Sequence, residues 1–306
     1  MGAGHGHGHA AGRASDRSRL RLALLVTGTV FVVEVVGAYV TGSLALLADA
    51  AHLATDAAAL VLALGASYVA SLPAGARSTF GYHRAEILAA LVNAVVLLGV
   101  CGYLAWAGVS RLREPTDVDA GPMVAFAIVG LASNAVSLGI LIRSETGSLN
   151  LRAAATEVLA DLLGSVLAVA AGLVILATGY LRADPIASLL IAAMILPRAV
   201  LLLRDTAVIL LEIAPPGLDL EDVRQHVMGT PGVVDVHDLH AWTITSGMPS
   251  LSAHVTVTDD ALAARGVGGI LDELSGCVAE HFGVQHVTFQ VEPESHREHE
   301  DLGEPH

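Results

Sequence analysis

Asp49, His52 and Asp56 fall within two helical turns of one apolar stretch, S-L-A-L-L-A-D-A-A-H-L-A-T-D-A-A-A-L. An ionisable side chain in the hydrocarbon of a bilayer costs several kcal/mol, so it normally faces a bundle interior and has work to do there. Residues three and four apart share a helix face, so these three make one polar stripe on an apolar rod. An imidazole and a carboxylate at that spacing, with side chains rooted about 5–6 Å apart, can share one small cation. About a hundred residues later, N-L-R-A-A-A-T-E-V-L-A-D-L-L-G-S-V repeats the spacing with Glu157 and Asp161. If the two helices lie side by side, His52, Asp56, Glu157 and Asp161 supply one nitrogen and three oxygens, a four-ligand set of the kind zinc takes. Asp49 is a candidate accessory group. A single carboxylate near a helix end is commonly an interface residue, but two such pairs on two helices favour a buried cation site. They do not say which cation.

The elements that must position these pairs are membrane spans. The 306-residue chain is 54% hydrophobic and 15% charged, with a mean hydropathy of +0.63, more apolar than ordinary globular proteins. Six apolar runs are each near the length needed to cross a bilayer: Leu22 to Val40, Leu44 to Leu72, Ala85 to Val109, Met123 to Ile142, Ala154 to Thr178 and Ile186 to Leu211. Ser71 to Gly75 and Arg113 to Asp117 carry turn chemistry between them. Arg13, Arg17, Arg19, Arg21, Arg77, Arg84, Arg143, Arg152 and Arg204 fall on the side of the N-terminus, against Arg111, Arg113 and Arg182 opposite. The positive-inside rule therefore places both termini in the cytoplasm. Met1 to Leu20 is a polar leader with His5, His7 and His9, read either as a weak metal collector or as a disordered tail. Glu34, Asn93, Asn134 and Asp205 are further polar residues within spans, best explained as groups satisfied between packed helices.

At Ala214-Pro215-Pro216-Gly217 the helical pattern stops. Residues 214–292 read as a small α+β module: a helix at Asp219 to Met228, strands at Val233 to Thr245 and Leu251 to Thr258, a helix at Leu262 to Phe282 and a strand at His286 to Glu292. Period-two alternation gathers His254, His286 and Glu292 on polar strand faces, with His237 and His240 at the end of the first strand. Residues 293–306 read as a disordered acidic tail. From Pro215 onward there are 16 acidic residues against three arginines, which disfavours nucleic acid as a partner and favours cations. The formal net charge of the whole chain is -14. Cys101 and Cys277 form no CxxC and no disulfide framework.

Beside the two ligand-bearing stretches, F-G-Y-H-R-A-E-I-L-A-A-L-V-N-A at Phe80 to Ala94, L-L-E-I-A-P-P-G at Leu210 to Gly217 and V-H-D-L-H-A-W-T-I-T-S-G at Val236 to Gly247 give the chain a resemblance to the cation diffusion facilitator family, from about Leu22 to Glu292. The resemblance implies a membrane all-α six-helix bundle followed by a cytoplasmic ferredoxin-like domain. It also implies export of zinc or a related divalent ion in exchange for protons, by a homodimer in a cell membrane, here expected to be a bacterial inner membrane, and no enzymatic activity. Carried over by position, His52 and Asp56 match the paired ligands of the second span and Asp161 the carboxylate of the fifth. The cytoplasmic domain would bind further Zn2+ through His237, His240, His254, His286 and Glu292. Glu157 departs from the family, whose zinc carriers usually have histidine there; a carboxylate makes the site harder, toward manganese, ferrous iron, cobalt or cadmium. Zinc remains the first expectation because His52 is a borderline ligand. Ligands must be deprotonated to hold metal, so protons and metal compete for one site. A membrane metal sensor with the same ligands and no flux is the other class left open.

Overall fold

The computed structural model describes residues 28–142 and 149–299. The leader with His5, His7 and His9, residues 22–27 of the first expected span, the connection at 143–148 and the last residues of the acidic tail lie outside the described residues. Six apolar helices come first: α1 (Gly28–Thr41), then α2 (Leu44–Ala70), α3 (Arg84–Arg113), α4 (Ala120–Ile142), α5 (Leu149–Thr178) and α6 (Ala183–Leu210). Five of them are long and apolar enough to cross a membrane, and α1 is shorter over its described part. The expected spans start and stop within a few residues of these helices, with α5 reaching further toward its N-terminus than the apolar run did.

The described residues divide into two compact units, one built from those up to Val61 with those of Val92–Leu201, the other from Leu62–Leu91 with those from Leu202 onward. In the first, Leu44, Leu46, Leu97, Leu104, Met123 and Ile191 are buried in one apolar core. Large side chains such as Val95, Val136, Leu173 and Leu201 remain outside. A bundle apolar on its outer surface suits a lipid environment, because a helix satisfies its interior backbone groups within itself.

The start of α2 is fastened by a residue 140 positions away. Asp184, at the start of α6 and fully buried, accepts hydrogen bonds from the Ser43 hydroxyl at 2.6 Å, the Leu44 amide at 2.8 Å and the Ala45 amide at 3.0 Å. A carboxylate at this place satisfies amides that the first turn of a helix leaves without partners. Arg111 of α3 stands 3.6 Å from Asp184 and donates to the Gly42 carbonyl at 2.6 Å. Four segments, α2, α3, α6 and the turn before α2, are thereby locked at one end, and the helix that carries His52 and Asp56 is held in rotation and height.

In the second unit the order is α7 (Leu220–Met228), β1 (Val233–Thr245), β2 (Met248–Val257), α8 (Asp259–Phe282), β3 (His286–Pro293) and a 3-10 turn (Glu294–His299). β1 pairs antiparallel with β2, and β2 parallel with β3. The α-β-β-α-β order with this pairing is the ferredoxin-like arrangement without its first strand. Asp219 caps α7, accepting from the Glu221 amide at 2.9 Å, and Thr258 caps α8, accepting from the Ala261 amide at 3.2 Å. Val223, Val227, Leu251, Val255, Ile270 and Leu274 form the core. β2 begins at Met248, three residues ahead of the apolar alternation, because the turn at Ser246 and Gly247 is tight enough to pair Thr245 with Met248. α8 likewise begins at Asp259, and within it Gly266 breaks the helical path at φ 67, ψ 167, a conformation only glycine adopts freely.

The connection between α2 and α3 belongs to this second unit. Arg84 of the F-G-Y-H-R-A-E stretch donates to Glu212 of L-L-E-I-A-P-P-G at 2.6 Å, and the Thr245 hydroxyl donates to Glu86 at 3.3 Å. Two motifs far apart in the chain are therefore partners of one another.

Candidate metal centre

Within the first unit, α2 and α5 present their polar pairs at the same distance from the helix start, Leu44 to His52 and Leu149 to Glu157. The His52 Nε2 atom stands 3.6 Å from Asp56 Oδ2 on its own helix and 3.4 Å from Asp161 Oδ1 on α5. One nitrogen and two carboxylate oxygens thus lie within 4.8 Å of one another. His52 and Asp161 are buried and Asp56 is partly open. The Asp161 Oδ1 atom that faces His52 Nε2 is buried without a hydrogen-bond partner among the described residues. Buried polar atoms are nearly always satisfied, so an oxygen left over between an imidazole and a second carboxylate marks a place for something else. A divalent cation supplies what a histidine nitrogen and two carboxylates lack.

Glu157 is not one of the three converging ligands. Its carboxylate is 2.5 Å from Nη2 of Arg198 on α6, and Nη1 of the same guanidinium is 3.6 Å from Asp56 Oδ1. Sequence reasoning missed Arg198, although a lone arginine directly after Pro197 inside the apolar run Ile186 to Leu211 is a signal of the same kind as Asp49 or His52.

Asp49 stays one turn away from the converging ligands and serves packing. It accepts from the Ser165 hydroxyl of α5 at 3.0 Å, which in turn accepts from the Asn134 amide of α4 at 3.2 Å. Glu34 of α1 is fully buried, with its carboxylate against Gly130 of α4. A Cβ at Gly164 would stand 2.7 Å from Asp49 Oδ1, so α5 can approach α2 this closely only as glycine. Gly164→Ala is expected to cost about 1–3 kcal/mol and to lower the melting temperature of the detergent-solubilised protein. An unchanged melting temperature would mean that the helices approach each other less closely than these distances require.

In the second unit, His237, His254 and Glu292 converge. Their ligand atoms also lie within 4.8 Å, with His254 Nδ1 at 3.2 Å and His237 Nε2 at 3.8 Å from Glu292. The register explains it: His237 pairs with His254 across β1 and β2, and Glu292 of β3 sits beside Thr256. Asp235 Oδ2 is 3.6 Å from the other nitrogen of His237, and Gln290 donates to Glu292 at 2.6 Å, orienting both ligands as partners around metal sites do. His240 and His286 do not join them. Asp238 takes a positive φ of 48 in a bulge between His237 and His240, which leaves His240 on the face of His237 but one pair further along, opposite Ser252, where it lines a cavity of about 780 Å³ with Trp242 and Arg77. His286 lies opposite Ser250 and packs its ring edgewise on Phe80 at 5.6 Å. Glu292→Ala is expected to abolish zinc binding at this cluster while His286→Ala leaves it, read by zinc titration of the two variants.

Residues 20–211 match the family described as the cation efflux transmembrane domain, and residues 215–294 match the cation efflux protein cytoplasmic domain. The chain belongs to the cation diffusion facilitator family. Members of this family are cation efflux transporters and not enzymes. The chain is 43% identical to the metal cation efflux system protein CzcD of Cupriavidus metallidurans, covering 95% of this chain and 90% of that one. It is 40% identical to the zinc transporter ZitB of Escherichia coli, over 87% and 84% of the two chains. To the cadmium, cobalt and zinc/H(+)-K(+) antiporter of Bacillus subtilis it is 37% identical, over 89% and 88%.

Proposed function

We propose that this carrier exports divalent cations from the cytoplasm in exchange for protons, with zinc the foremost substrate, as a homodimer whose termini are both cytoplasmic. His52, Asp56 and Asp161 hold the ion, and Glu157 stands beside them. The observation that carries the reading is the meeting of His52 Nε2 with Asp56 and Asp161 inside an apolar bundle, with the buried Asp161 Oδ1 lacking a hydrogen-bond partner among the described residues. Protons and metal compete for the ligand atoms, so a site that opens alternately to the two sides moves them in opposite directions. Names borne by relatives, a zinc transporter and a cadmium, cobalt and zinc/H(+)-K(+) antiporter, support this substrate class. The site includes an imidazole, a ligand that suits zinc, and Arg198 neutralises the carboxylate that departs from the zinc pattern. At the cytoplasmic cluster, zinc bound by His237, His254 and Glu292 ties β1, β2 and β3 together at the sheet face.

The test is zinc-driven collapse of a pH gradient. In inside-out vesicles acidified within, added zinc is expected to raise the internal pH when this protein is present and not when His52→Ala replaces it. Equal proton movement in both would remove His52 from the site.

A further inference from the structure

We propose that Arg198 is a tethered counter-ion of the transport site, held by Glu157 and Asp56 while no metal is bound and displaced from Asp56, while kept by Glu157, when the divalent cation arrives. The proposal rests on the reading of His52, Asp56 and Asp161 as the cation site, and it makes Glu157 the holder of the arginine in the metal-free carrier.

Three observations lead to it. The guanidinium spans two carboxylates, 2.5 Å from Glu157 and 3.6 Å from Asp56 Oδ1. Asp56 turns its other oxygen, Oδ2, to His52 at 3.6 Å, so one carboxylate is shared between the arginine and the converging ligands. Finally, the Arg198 side chain is 50% exposed while His52 and Asp161 are almost wholly enclosed, which leaves the guanidinium an open side to withdraw toward.

Charge explains why such a device is needed. Asp56, Glu157 and Asp161 bring three negative charges into one bundle, and a neutral His52 brings none. Uncompensated like charges in a poorly solvated interior are costly. Arg198 leaves a balance of two negative charges, which one divalent ion neutralises. The planar fork of arginine suits it to hold two carboxylates at once, where a lysine ammonium acts as a point charge. A positive charge so close to a ligand oxygen also repels an arriving cation, so the arginine lowers the affinity of the site and favours release. Zinc and the guanidinium then alternate on Asp56, and the empty carrier returns without three bare carboxylates. Pro197 stands directly before Arg198 in α6 and cannot donate to the carbonyl of Ala193, which loosens the helix where the side chain has to move.

Two measurements on the full-length carrier in lipid nanodiscs test this. In zinc titrations, with the transport-site component defined as the part lost in His52→Ala, Arg198→Gln is expected to bind zinc about tenfold tighter than the parent, and Arg198→Lys to stay within about threefold of it. Combined with Glu157→Gln, the gain from Arg198→Gln should shrink, because the arginine has lost its holder. In the unaltered protein, labelling of Arg198 by phenylglyoxal, mapped by mass spectrometry, should rise on adding zinc and should not rise in His52→Ala. Arg198→Gln binding zinc no tighter than the parent, or zinc leaving Arg198 labelling unchanged or lowered, overturns the proposal while the cation site stands. Zinc binding in the membrane unit that is the same in His52→Ala as in the parent overturns the site itself and this proposal with it.

Discussion

Replacing Asp161 by alanine should reduce zinc flux about a hundredfold or more, with the protein still inserted and monodisperse. Among the described residues Asp161 is one of two carboxylates that meet His52 Nε2, it comes from the opposite helix, and it is buried. Without it α5 contributes nothing to the converging ligands, since Glu157 is turned to Arg198. A divalent ion then faces one imidazole and one partly open carboxylate, a set too weakly charged to strip its water. The bundle itself should survive, because removing an unsatisfied buried carboxylate oxygen removes a liability along with the ligand. Flux is read in proteoliposomes and folding by the elution profile and melting temperature of the same preparation. Flux within a few fold of the parent would show that Asp161 is not a ligand.

Asp184→Ala is expected to have the largest effect on stability, about 3–5 kcal/mol. Its carboxylate is fully buried and serves the Ser43 hydroxyl and the Leu44 and Ala45 amides, with Arg111 at 3.6 Å. Alanine would leave two amides and a charged guanidinium near that end of α2 without the group that answers them. The melting temperature of the solubilised protein should fall by several degrees and expression should drop. Asp184→Asn, which keeps an acceptor of the same shape, should recover part of the loss. A melting temperature equal to the parent's in Asp184→Ala would mean that this end of α2 is held by packing alone.

These two residues differ in how far the sequence exposes them. The 3.6-residue period puts His52 and Asp56 on one face whatever the tertiary structure, and the same is true of Glu157 and Asp161. The helices and the small α+β module follow from apolar run lengths and from alternation, to within a few residues at their ends. What a period cannot supply is the rotation of one helix against another. Whether Glu157 turns toward His52 or toward α6 depends on that rotation, and it meets Arg198. Asp184 serves α2 across 140 positions of chain, beyond any local pattern. In the second unit β1 carries an extra residue between His237 and His240, with Asp238 at a positive φ. That bulge leaves His240 on the face of His237 but one pair further along, opposite Ser252 rather than His254, and nothing in V-H-D-L-H-A-W announces it.

In the proposed carrier His52, Asp56 and Asp161 move a divalent cation against protons, with Glu157 and Arg198 setting the preference. Uptake of zinc, manganese, cobalt, cadmium and ferrous iron into proteoliposomes under an imposed pH gradient, for the parent and for Glu157→His, tests this. Gradient-driven zinc uptake is expected in the parent, faster than that of manganese or ferrous iron, because the arginine cancels the hardness that Glu157 adds. Absence of gradient-dependent flux for every ion, or a parent that prefers manganese and turns to zinc only in Glu157→His, would contradict it.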